Sequence, residues 1–164
     1  RFESRWPVGT RERLAFTILL YTGLRRGDAA IVGRQHVSNG VIIMRAEKTD
    51  AQLTIPILPE LAQVIAATKT GDLTFVATAS GGPMRKESFG NWFREACAAA
   101  GVPGSAHGLR KAGAARAASN GATVAQLNAI FGWSDSQMAS LYTKSADRVR
   151  LAKEAIGKLA RNET

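Results

Sequence analysis

The stretch Ser105–Tyr142, SAHGLRKAGAARAASNGATVAQLNAIFGWSDSQMASLY, decides how the rest of the chain is read. It opens with His107-Gly108-Leu109-Arg110, passes through Phe131-Gly132-Trp133 and closes on Tyr142, nine residues beyond Trp133. Imidazole, guanidinium, indole and phenol are all hydrogen-bond donors or proton carriers suited to a phosphodiester. A guanidinium grips two phosphate oxygens at once, and a phenol can attack phosphorus as a covalent nucleophile. No metal-ligand cluster accompanies these groups. The stretch reads as a phosphoryl-transfer site built from side chains alone.

A second block stands upstream: Tyr21-Thr22-Gly23-Leu24-Arg25-Arg26-Gly27-Asp28. Between the two blocks, Glu47-Lys48-Thr49 falls at the tip of a predicted hairpin. The H-x-L-R run, the G-[H/W] pair with a tyrosine nine residues on, and the T-G-[LM]-R-x-x-[ED] segment resemble the signature of the tyrosine recombinases, the phage-integrase family. The resemblance runs from about Thr10 to Lys144. It implies the family's catalytic-domain fold and strand cleavage through a 3′-phosphotyrosyl link, with Tyr142 as nucleophile and no metal or other cofactor. Arg25 and Arg110 then stabilise charge on the phosphate, and the Thr-Gly-Leu-Arg spacing selects Arg25 over Arg26. His107 donates to the phosphate or relays the tyrosine proton. Trp133 stands where many relatives carry histidine; indole only donates, so it binds an oxygen without carrying a proton. Lys48 takes the place of the family's catalytic lysine, a general acid towards the 5′ oxygen, with Lys86 and Lys111 as alternatives. Asp28, one helical turn from Arg25, is expected to orient its guanidinium.

The 164 residues suffice for one buried core and fall short of two ordinary domains. Apolar residues make up 45% and charged residues 21%, as in ordinary globular proteins. A net charge of +9 without a long apolar run favours nucleic acid over membrane as partner. Cys97 is the sole cysteine, which excludes an intrachain disulfide and fits a reducing compartment. A cytoplasmic protein of a phage, mobile element or bacterial nucleoid is expected. By the resemblance its partners are double-stranded DNA and other protomers in a synaptic complex, a tetramer on DNA, with a monomer open for the domain alone. The family's usual N-terminal DNA-binding domain is absent from this sequence, so residues 1–164 are expected to be a single excised catalytic domain.

Along the chain, residues 1–9 read as a lead-in. Thr10 caps a helix through Tyr21 whose apolar residues go nearly all the way round, and Gly23 ends it. A short helix over 27–32 follows. Three strands are expected over 35–38, 41–45 and 53–58, the first two joined by the hairpin signal Asn39-Gly40. Pro59 starts a helix, and 70–83 form a loop. The spacing of Phe89, Phe93, Ala96 and Cys97 predicts a helix with an inert core thiol. Another helix spans about 107–119. Thr123-x-x-Gln126 and Ser134-x-x-Gln137 both match the capping box, and Ser145 is expected to cap a last amphipathic helix over 146–159. That helix docks either on a neighbouring protomer or on its own domain. The fold class is mainly α with a small three-stranded antiparallel sheet.

Three functions compete: site-specific recombination, a type IB-like topoisomerase sharing the same chemistry, and a basic DNA-binding module without catalysis. A metal-dependent nuclease fits poorly, because the 13 Asp and Glu residues form no paired cluster with histidine.

Overall fold

The computed structural model describes residues 1–159. Its centre is helix α2 (Arg11–Thr22). The Oγ1 of Thr10 accepts from the Arg13 amide at 3.2 Å, supplying a partner for one of the free N–H groups of the first turn. At the other end Gly23 adopts φ 63°, the left-handed cap. A side chain at Gly23 would also run into the Phe131 ring, so glycine is required there twice over. Leu14, Ala15, Ile18 and Leu19 are buried on successive faces, which is why the helix shows no polar side.

Around α2 lie α3 (Arg26–Ile31), α4 (Pro59–Ala67), α5 (Lys86–Ala99) and α6 (Ala106–Ser119). The sheet has strand order β1-β2-β3, with β1 Val37–Ser38, β2 Val41–Arg45 and β3 Gln52–Pro56, all antiparallel. Asn39 (φ 49°) and Gly40 (φ 74°) are both left-handed, the geometry that lets a two-residue loop follow the strand twist. Ile42 faces Ile55 and Met44 faces Leu53, so alternate residues of both strands enter the core. Phe89 and Phe93 of α5 are fully buried in the same core. Truncating either would cost about 3–5 kcal/mol.

A second, smaller core joins α6, α7 (Val124–Phe131) and α8 (Ser136–Ile156) through Ala114, Ala118, Leu127, Phe131 and Ala139. The candidate site lies where the two cores meet.

The third strand ends at Pro56, two residues before the expected limit, and the structure departs from the sequence expectations at five further places. Residues 1–9 contain a helical turn, α1 (Phe2–Arg5); Phe2 is buried, stacking on Phe16 with centroids 5.0 Å apart. Trp6 Nε1 donates to the Ala96 carbonyl at 3.0 Å, so the segment is fastened to α5. The first strand is shorter than expected, because Arg34–His36 form a 3-10 turn closed by the Gly33 amide donating to His36 Nδ1. Ser105 caps α6, which starts at Ala106, one residue earlier than expected. The capping box at Thr123 forms, but the one at Ser134 does not. There Asp135 is the cap, its Oδ1 accepting from the Gln137 amide at 2.9 Å. A carboxylate beside the positive helix end outcompetes the neighbouring hydroxyl. Finally, Ser145 caps nothing: α8 runs unbroken for 21 residues through it. Neither Gly nor Pro interrupts 136–156, and a serine inside a helix costs too little to end it.

Candidate active site

Thr22 shapes the approach to the first arginine. Its buried hydroxyl donates to the Ile18 carbonyl at 2.6 Å and accepts from the Leu24 amide at 3.2 Å, fixing the turn out of α2. Arg25 follows as the N-cap residue of α3, half-buried and facing a cleft.

Asp28 is only 1% exposed. Its Oδ1 accepts from the Glu47 amide at 2.9 Å, and no ion pair joins it to Arg25 among the described residues. The carboxylate therefore braces the β2–β3 turn rather than the guanidinium. That turn is closed on itself by the Ala46 amide to the Ala51 carbonyl and the Asp50 amide to the Ala46 carbonyl, both 2.9 Å. Lys48 stands at its exposed tip and reaches the same cleft as Arg25.

Helix α6 contributes His107 and Arg110 from its first turns. Its cap, Ser105, accepts from the Gly108 amide at 3.1 Å. Arg110 is 7% exposed, unusual for a guanidinium. It donates to the Gly23 carbonyl through Nη1 and to the Phe131 carbonyl at 2.7 Å through Nη2. It therefore ties the end of α2 to the end of α7. Burial, then the charge of Arg25, lowers its pKa to about 10, while Asp28 and Tyr142 oppose the shift. It remains charged at neutral pH, a poorly hydrated cation that gains from any anion entering the cleft. His107 is held below its ordinary value by partial burial and by Lys111, Arg110, Arg25 and Lys48, in that order. Its imidazole is neutral over a wider pH range than usual.

Gly132 ends α7 with φ 61° and turns the chain into Trp133. The indole lies between two rings, 4.8 Å from Phe131 and 5.9 Å from Tyr142, with interplanar angles of 17° and 2°. The Arg110 guanidinium sits 5.1 Å from the Phe131 ring centre and 5.6 Å from that of Trp133. Tyr142, on the second turn of α8, thus has a defined ring plane beside a buried cation.

Arg25, Lys48, His107, Arg110, Trp133 and Tyr142 together line one cleft of about 540 Å³. Arg26, Ala106, Lys111 and Met138 complete its wall. Lys86 does not reach it; it pairs with Glu47 at 2.5 Å beside a smaller adjoining cleft. Sequence reasoning passed over Arg26, although two adjacent arginines at a helix start can both face one side. It also gave Phe131 no role, although an aromatic one residue before Gly-Trp was the available signal. The arrangement can bind a phosphodiester by two or more cations and bring a phenol to it. His36, Cys97 and Tyr21 lie away from the cleft; burial raises the pKa of the Cys97 thiol and keeps it unreactive.

The sequence profile of the phage integrase family matches residues 3–148. Among solved structures, a lambda integrase (75–356) dimer bound to a COC′ core site superposes with a TM-score of 0.72. Its identity is 19%, over 87% of this chain and 55% of that one. XerA recombinase gives 0.74 at 18% identity, covering 98% of this chain and 61% of that one. The Tn1549 transposon integrase in complex with transposon right end DNA gives 0.68 at 20% identity, covering 88% and 59%. Identities this low speak for the fold alone, and the chain spans between half and two thirds of those proteins' lengths. No protein of curated function matches the sequence.

Proposed function

The chain belongs to the phage integrase family, and on that premise we propose that it is the catalytic domain of a site-specific DNA recombinase. It cleaves and rejoins strands through a 3′-phosphotyrosyl link to Tyr142. One observation carries the reading: Arg25, Lys48, His107, Arg110, Trp133 and Tyr142, from five separate segments, meet around one cleft.

A scissile phosphate between Arg25 and Arg110 meets charge that stays in place throughout the reaction. As phosphorus becomes five-coordinate, negative charge grows on the non-bridging oxygens, so both guanidinium groups bind the transition state better than the ground state. The Trp133 indole adds a neutral donor. The phenol oxygen of Tyr142 forms the new P–O bond, and its proton passes to the neutral imidazole of His107. The 5′ oxygen leaves with the bonding electron pair and takes a proton from Lys48. The phosphodiester is exchanged for a phosphotyrosine, and the reverse sequence lets a 5′-hydroxyl rejoin. No step consumes an external reactant. Double-stranded DNA is the substrate. Lambda integrase has been solved as a dimer on a core site and as a tetramer on a Holliday junction. Further copies of this chain on DNA are accordingly the expected partners.

A nicked suicide duplex incubated with the protein and run on a denaturing gel tests the proposal. A covalent protein–DNA adduct is expected from the wild type and none from Tyr142→Phe, which loses one oxygen and keeps its ring for packing. Adduct persisting in the mutant sinks the assignment. Joining of two duplexes is expected in addition; relaxation of supercoiled DNA without joining would point to a topoisomerase.

A further inference from the structure

Lys48 is exposed, and solvated lysines at hairpin tips ordinarily sample many positions. The residue before it is nevertheless fastened from three directions. The Glu47 amide donates to the buried carboxylate of Asp28 at 2.9 Å. The Glu47 Oε1 accepts from Nζ of Lys86, the first residue of α5, at 2.5 Å. The Oε2 lies over Gly27, so near that a Cβ at that position would collide with it. The same groups, with Arg25, Arg26 and Lys48, enclose a cleft of about 270 Å³ that shares its wall with the larger one.

We propose that the Glu47–Lys86 ion pair is a latch that ties the β2–β3 turn to the start of α5, holding it over the start of α3, and so sets where Lys48 stands in the active-site cleft. Both are positioning residues; neither side chain lines that cleft. The pair is half-exposed on both sides, so it adds little to global stability. Its effect is local, on the fraction of time the turn is docked. The missing side chain at Gly27 is the complementary feature, since it makes room for the carboxylate. Because proton transfer to a leaving oxygen tolerates little displacement, a turn undocked by an ångström or so costs about 10²-fold in rate.

The inference rests on the reading of Lys48 as the acid, and the experiment separates the two. Suicide duplexes are made with either oxygen or sulfur at the bridging 5′ position; the thiolate departs without protonation. Lys48→Ala is expected to be nearly inactive on oxygen and close to wild type on sulfur. Glu47→Gln and Lys86→Met are expected to cleave the oxygen substrate about 10- to 100-fold more slowly, and to come within a few-fold of wild type on sulfur. Lys86→Arg, which keeps the pair, should retain most of the rate. In parallel, the amide of Glu47, bonded to the Asp28 carboxylate, and that of Asp50, bonded to the Ala46 carbonyl, should exchange with solvent at least several-fold faster in Glu47→Gln and Lys86→Met. A slow Lys86→Met beside a normal Glu47→Gln would overturn the latch and make Lys86 a direct DNA contact. Failure of sulfur to rescue Lys48→Ala removes the acid assignment. The latch is then still judged by amide exchange, where unchanged protection in both pair variants overturns it.

Discussion

Arg110 offers five N–H groups, spends one on the Gly23 carbonyl and one on the Phe131 carbonyl, and leaves the rest for the cleft it lines. It therefore builds the cleft as well as lining it. Arg110→Ala should abolish detectable adduct and also cost on the order of 3 kcal/mol in a urea titration, because two buried carbonyls lose their donor. Arg25→Ala, whose side chain is only half-buried, should slow cleavage by about 10²-fold or more with stability nearly unchanged. Equal stability losses in the two would contradict the dual role. His107 gives a second expectation. Burial and nearby cations lower its pKa, so in the DNA-free protein its imidazole should titrate below the usual 6.5. Removing one of those cations, in Lys111→Met, should move the midpoint upward. Imidazole C–H resonances followed against pH measure both; an unmoved midpoint removes Lys111 as a cause.

At the scale of elements, α2 and α6 are packed closely enough that Gly113 is a spacer. A Cβ there would stand 2.9 Å from the Leu20 carbonyl oxygen, a backbone atom that cannot swing aside. Alanine gains about 1 kcal/mol of helix propensity, but parting two helices costs about 1–3 kcal/mol. Gly113→Ala is thus expected to lower Tm despite the better helix former, and a rise would mean that the contact relaxes freely. Much of this layer was legible in the sequence. Thr10 as a cap, Gly23 as a stop, Asn39-Gly40 as a hairpin and the Thr123–Gln126 box are all decided by atoms within a few residues of one another. The misreadings share a cause. Ser134 against Asp135 is a contest between neighbours that both fit the pattern, and Ser145 is a capping residue to which no chain reversal corresponds. The burial of Phe2, the ring stack on Phe131 and the Glu47–Lys86 pair depend on residues far apart in sequence, where no local period speaks. The residues that line the cleft were singled out by motif spacing, which is local, whereas their meeting in one cleft is a property of the fold.

For the molecule as a whole, the last turns of α8 carry exposed apolar side chains, among them Val149, Leu151 and Ile156. The helix extends about 30 Å at 1.5 Å per residue, and its far half rests on neither core. On the recombinase reading this is the face offered to a neighbouring protomer. Val149→Asp combined with Ile156→Asp should leave stability within about 0.5 kcal/mol and reduce the size of protein–DNA assemblies in sedimentation. Assemblies of unchanged size would assign the tail another task. The division into two cores has a consequence for synthesis. Arg25 and Lys48 belong to the earlier-made half, whereas His107, Arg110 and Tyr142 belong to two helices of the later one and Trp133 to the connection between α7 and α8. On the recombinase reading, a polypeptide leaving the ribosome amino end first carries Arg25 and Lys48 before it carries the proposed nucleophile. On that reading, strand scission would be withheld from the nascent chain until the parts needed for resealing have been made as well.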